Sequence, residues 1–168
     1  QAAGAEATFA GYKEVYEAQA GAASGNAKTA VPHAPYTVSD PLYALINGLN
    51  DGQGTVSIHN QETPAEDELF VTKTGPFVDF FAKFGASLTG FKATGQGSIF
   101  HALTQMDSRI RTLFVHNTMT TTEGIAAAQA WGKNGVYWAS CPNANLYIEN
   151  RMPNYQTFID AEAKVCIG

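Results

Sequence analysis

Thr55-Val56-Ser57-Ile58-His59-Asn60-Gln61-Glu62 decides how this chain is read. A short run rich in β-branched residues stops at a histidine, and a carboxylate follows three residues later. Such a run predicts a strand delivering polar chemistry at its C-terminal end. The same grammar recurs at Lys28–Pro32 before His33, Arg111–Val115 before His116, Gly135–Ser140 before Cys141 and Lys164–Val165 before Cys166. The five anchor residues are separated by 26, 57, 25 and 25 positions.

Helical patterns fill the gaps. Glu6–Ala20 carries Phe9, Tyr12, Tyr16 and Ala20 at helical spacing, and Gly21–Asn26 is its exit loop. Ser39 or Asp40 caps a second helix, with Pro41 in its first turn. Thr63 or Pro64 starts a third, with carboxylates at the positive end of its dipole. Gly75-Pro76 breaks it, and Phe77–Phe84 continues as an apolar helix. Further helices are predicted over 98–106, 122–131 and 154–162. A βα unit of a barrel takes about 30 residues, so three spacings fit one unit each. The long spacing fits a unit carrying a helical insertion. Strands apolar throughout predict burial on both faces, hence a parallel sheet with helices outside. The expected architecture is α/β: a (β/α) barrel or a doubly wound sheet, with residues 1–168 in one domain.

Composition narrows the partners. The 168 residues are 45% hydrophobic and 15% charged, with net charge −5. No Lys/Arg-rich run appears, which argues against nucleic acid and anionic membranes. No apolar stretch approaches the roughly 20 residues needed to span a bilayer. The start, Gln1-Ala2-Ala3-Gly4, has neither a basic-then-apolar leader nor a methionine, and we expect a longer parent protein. Cys141 and Cys166, in strand-like runs, are expected to be reduced and buried in a cytoplasmic enzyme. Neither a Gly-x-Gly-x-x-Gly turn between strand and helix nor a Walker-type lysine loop occurs, which argues against nucleotide-phosphate binding.

In parallel α/β sheets ligands bind at the C-terminal strand ends. Three of the four histidines, His33, His59 and His116, fall there. His101 lies within a predicted helix and reads as structural. Neutral imidazole suits zinc or iron, and either metal lowers the pKa of its water toward about 7. A carboxylate one step beyond a ligand can shuttle the proton, and His59-x-x-Glu62 supplies the pair. Against this, Glu62 can simply cap the helix after it. Asn60, Asn117, Asn143 and Asn145 crowd the strand ends, to bind substrate or to hold loops. Cys141 reads as a packed thiol rather than a nucleophile. Phe77, Phe80, Phe81 and Phe84 read as helix core or as the mouth of a pocket.

At these residues the chain resembles the amidohydrolase superfamily, in its chlorohydrolase and nucleobase- or nucleoside-deaminase branch. Val31-Pro32-His33-Ala34-Pro35-Tyr36-Thr37 matches the fourth barrel strand and Ile58-His59-Asn60-Gln61-Glu62 the fifth. Val115-His116-Asn117-Thr118 matches the sixth, and Cys141-Pro142-Asn143-Ala144-Asn145 the seventh, with Ala144 where serine is common. The resemblance implies part of a (β/α)8 TIM barrel, about strands 4 to 8, with the insertion after strand 5. It implies His59 as a metal ligand, Glu62 as general acid/base and His116 orienting the hydroxide. His33 would contact substrate, and Asn143 and Asn145 would shape a substrate-binding loop. The family's first-strand His-x-His pair has no counterpart, and its eighth-strand aspartate would lie just beyond Gly168. One of four expected ligands is thus at hand.

The expected function is hydrolytic deamination of an amino-substituted N-heterocycle or nucleoside-like small molecule, with one divalent metal, zinc before iron. The alternatives are chloride or an amide as leaving group, a non-catalytic scaffold, or an unrelated enzyme using Cys141. A second copy of the chain is the further expected partner.

Overall fold

The computed structural model describes residues 4–19 and 28–168; the predicted exit loop at 21–26 lies outside them. Helix α1 (Ala5–Ala18) leads to α2 (Asp40–Asn50), β1 (Thr55–Asn60), α3 (Pro64–Thr72), α4 (Pro76–Lys83) and α5 (Ser98–Gln105). Then come β2 (Arg111–His116), α6 (Thr122–Trp131), β3 (Val136–Ser140), α7 (Pro142–Glu149), α8 (Tyr155–Asp160) and β4 (Lys164–Ile167). The four strands are all parallel and lie side by side in chain order. Pairing of Ile58 with Phe114, and of Phe114 with Trp138, sets the register. This is a stretch of barrel wall, with α3, α4 and α5 as the insertion.

The apolar residues sort onto one side of the sheet. Val56, Ile58, Phe114, Val136 and Trp138 are buried against Tyr43, Ile46, Ile99, Ala102, Ile125, Ala128 and Phe158 of the helices. Phe114 stacks on Trp138 at 5.1 Å between ring centroids, and Phe158 meets Trp138 edge-on. On the other side Ser57, His59, Leu113, Val115 and Tyr137 are only half-buried. The expectation of burial on both faces is thereby corrected: β1 and β2 alternate buried and half-buried positions.

Four further expectations change. The run Lys28–Pro32 is not a strand. Pro32 has no N–H for a ladder, and the run is held instead by single ties: His59 N–H donates to His33 O, and the Asn50 amide brackets Ala30 through both its N–H and C=O. Gly54, at φ +83°, lets it pass, because a Cβ there would collide with Thr29 Oγ1. The periodic face of α1 is only partly covered: Phe9 and Tyr16 are half-buried, Tyr12 is exposed and only Ala5 is buried. Cys141–Asn145, read as a strand-end loop, instead leads into α7 (Pro142–Glu149), because Pro142 sits in the first turn where its missing N–H is no loss. Cys166 is exposed on β4, and Cys141 is half-buried at the N-cap of α7; both thiols are free. Among the described residues, no helix is long and apolar enough to cross a membrane.

Candidate active site

The C-terminal ends of β1 and β2 bring three of the anticipated side chains into contact. His59 belongs by alternation to the half-buried face of β1. His116 pairs across from Asn60, so alternation alone would send it to the helix side. Its backbone instead takes φ +75°, and Asn117 follows at +60°. This left-handed step, rare for a non-glycine residue, turns the imidazole toward His59. His116 Nε2 lies 2.9 Å from His59 Nδ1, with the rings stacked at 5.0 Å, and 3.3 Å from Glu62 Oε1. His33 meets His59 edge-on at 5.0 Å; it is exposed, with Nδ1 against Thr37 Oγ1.

Asn145 lies behind His116 and fixes its tautomer. The Asn145 side-chain N–H donates to His116 O at 3.2 Å, so Oδ1 faces His116 Nδ1 at 2.9 Å. An oxygen there requires the proton on Nδ1. The neutral ring then offers Nε2 as an acceptor to His59 Nδ1–H, which leaves the lone pair of His59 on Nε2. That form of imidazole binds metals. Burial, followed by the neighbouring His116 and His33, pushes His59 below the usual histidine range, which favours that neutral form.

The other polar residues fall into clear groups. Asn60 and Asn117 are wholly buried and hold loops: Asn60 donates to Asn117 Oδ1 and Thr120 Oγ1, and Asn117 to the carbonyls of Phe114 and Ala139. Asn143 is exposed on α7. Thr63, not Glu62, caps α3, accepting from Glu66 N–H. His101 packs on Phe70 with Nε2 toward Asp40. Phe77 packs on Tyr36 with ring centroids 4.6 Å apart, while Phe80 and Phe84 are exposed; α4 has no buried residue and is not core. Glu66 reads in the sequence only as one of the first-turn carboxylates of α3. It is fully buried, with its carboxyl pushed up to about 7 by burial. The signal was present, since Thr63-x-x-Glu66 is a capping-box pattern.

As a metal site the donors fit in part. The free Nε2 of His59 suits one metal bond, yet the described residues hold no group of three or more His, Cys, Asp or Glu that could hold an ion.

No family model matches the chain. It is 28% identical over 144 residues to the aminodeoxyfutalosine deaminase of Deinococcus radiodurans, covering 82% of this chain and 34% of that protein. The chain thus spans about a third of the length of the curated relative it matches. Among solved structures, it superposes on the aminofutalosine deaminase of Helicobacter pylori in complex with methylthio-coformycin with a TM-score of 0.78. That match covers 96% of this chain and 39% of the other, at 19% identity. A zinc-bound adenosine deaminase from Xanthomonas campestris gives 0.62 at 24% identity, covering 95% and 31%. The resemblance drawn from the four strand-end motifs is borne out by these relatives, and the partial barrel by these folds.

Proposed function

We propose that the chain is the proton-handling part of a metal-dependent hydrolytic deaminase acting on an amino-substituted N-heterocycle or a nucleoside-like substrate. The observation that carries this is the contact of Glu62, His116 and His59 at adjoining strand ends. The names of the relatives, deaminases of related compounds, support the substrate class. In the net reaction a C–N bond breaks, a C–O bond forms, and ammonia leaves. A divalent metal, zinc before iron, supplies a hydroxide near neutral pH when bound. His59 offers Nε2 as one ligand. Glu62 takes up a proton on Oε1 and passes it to the leaving nitrogen. His116, held by Asn145, orients the nucleophile. His33 and Asn143, both exposed, contact substrate, and Asn145, buried on α7, acts on the site through His116.

A non-catalytic scaffold is the second reading, favoured by the incomplete donor group. A second copy of the chain as partner and a cytoplasmic location belong to the same proposal, the latter in keeping with the two free thiols.

The test incubates the metal-loaded full-length protein with adenosine, a 5′-substituted adenosine, a chloro-substituted heterocycle and a cyclic amide. Ammonia from the nucleosides supports the proposal. Chloride release or amide opening alone would move the assignment to the other leaving groups. A folded, metal-free and inert protein would favour the scaffold.

A further inference from the structure

Glu66 is a carboxyl group at 0% exposure whose three side-chain partners are all donors. Gln61 N–H reaches Oε1 at 3.0 Å, Glu62 N–H reaches Oε2 at 3.2 Å, and Ser98 Oγ–H reaches Oε1 at 2.5 Å. In an ordinary capping box the glutamate returns to the N–H of the capping residue, here Thr63. Glu66 reaches past it, to the two peptides that carry the chain from β1 to Glu62. That turn needs holding. Gln61 sits at φ +46°, a left-handed conformation that persists in a non-glycine residue only where its surroundings over-determine it. Its side chain is fastened as well, donating to both Asp67 oxygens and accepting from Thr120 Oγ1. Its carbonyl accepts from Met119 N–H. The Glu62 side chain, in contrast, meets His116. The reach of its carboxyl is therefore limited by its backbone, and Glu66 is the group that holds both N–H groups of that backbone.

We propose that Glu66 is a positioning residue: by fixing the N–H groups of Gln61 and Glu62 from within the first turn of α3, it aims the Glu62 carboxyl at His116. The proposal deepens the deaminase reading and rests on it for its kinetic arm. It makes Ser98, at the start of α5, part of the same support, so the inserted helices serve the proton carrier.

The test is a double-mutant cycle in the metal-loaded full-length protein, with Glu66→Ala, Glu66→Gln, Glu62→Gln and the doubles, assayed by ammonia release. A displacement of about 1 Å at a reacting group can lower turnover by as much as ~100-fold. Glu66→Ala should lower kcat by roughly 10- to 100-fold, with KM moved less than about threefold. Glu66→Gln keeps an acceptor for one N–H and should lose roughly 3- to 10-fold, which keeps the test open if the alanine variant does not fold. In the Glu62→Gln background neither change should cost more, because the group it aims is already disabled. Turnover within twofold of wild type, or the same loss repeated in that background, overturns the proposal. A second readout needs no activity: the 13C carboxyl resonance of Glu62 should move in Glu66→Gln, and an unmoved resonance also overturns it. Wild-type protein that released no ammonia from the panel would end the deaminase reading, and the resonance would then decide the positioning claim alone.

Discussion

The two faces of the sheet are built from the same four strands and do opposite work. Toward the helices, Ile58, Phe114 and Trp138 are at most 1% exposed, in a continuous apolar layer with the helix residues. Toward the other side, Ser57, His59, Leu113, Val115 and Tyr137 keep part of their surface open. One face supplies the burial that stabilises the fold, at about 25 cal/mol per Å² of apolar surface. The other carries His59 up to the strand ends, and His116 joins it there through its left-handed backbone. The difference teaches where mutations should separate: stability responds to one face, chemistry to the rim of the other.

Trp138→Ala should sharpen that contrast most. It removes the largest fully buried side chain, and chemical denaturation should show a loss of about 3–5 kcal/mol. An equally large loss for Leu113→Ala on the half-buried face would break the distinction.

A smaller effect comes from Glu66, which lies under the rim. Its folded-state pKa, about 7, is raised above the ordinary 4.5 by burial. The folded protein therefore binds the proton more tightly than the unfolded chain. The stabilisation is complete below pH 4.5 and is lost as pH rises through about 7. The loss is on the order of 3 kcal/mol by the linkage relation. Denaturation curves across that window should show the decline in wild type, and Glu66→Gln should flatten it.

Smaller again is Asn145→Ala, which strips His116 Nδ1 of its acceptor and should cost about 1–3 kcal/mol of stability. Its more telling effect lies in the tautomer. 15N shifts of His116 should show Nδ1 protonated in wild type and a mixture in the variant. A single unchanged tautomer would contradict the role given to Asn145.

Much of the fold could be read from the sequence because three strands, 55–60, 111–116 and 136–140, are concentrated apolar runs between clear turns. The insertion was legible as well, since Gly75-Pro76 and the carboxylates after Pro64 mark helix ends by simple backbone rules. The run before His33 looked the same but contains Pro32, and its backbone groups are tied by Asn50 instead. The start of α7 was missed because proline reads as a stop when it is also a good first residue. Helical spacing in Phe9, Tyr12 and Tyr16 described a face, but spacing does not say what covers it. At the site, His59, His116 and Glu62 were found because chemistry-bearing residues gather at strand ends. Their mutual contact was not legible: it depends on the φ values of Gln61, His116 and Asn117. The service of Asn145 to His116 crosses 29 residues of sequence and leaves no local pattern.

Glu62 is the residue on which the proposed proton transfer depends. Its most direct test is Glu62→Gln in the full-length protein, with metal content and ammonia release measured on the same sample. We predict unchanged metal content and a turnover lowered by about 10²- to 10⁴-fold, the range for loss of a general acid/base. Turnover within a few fold of wild type at equal metal content would contradict the account.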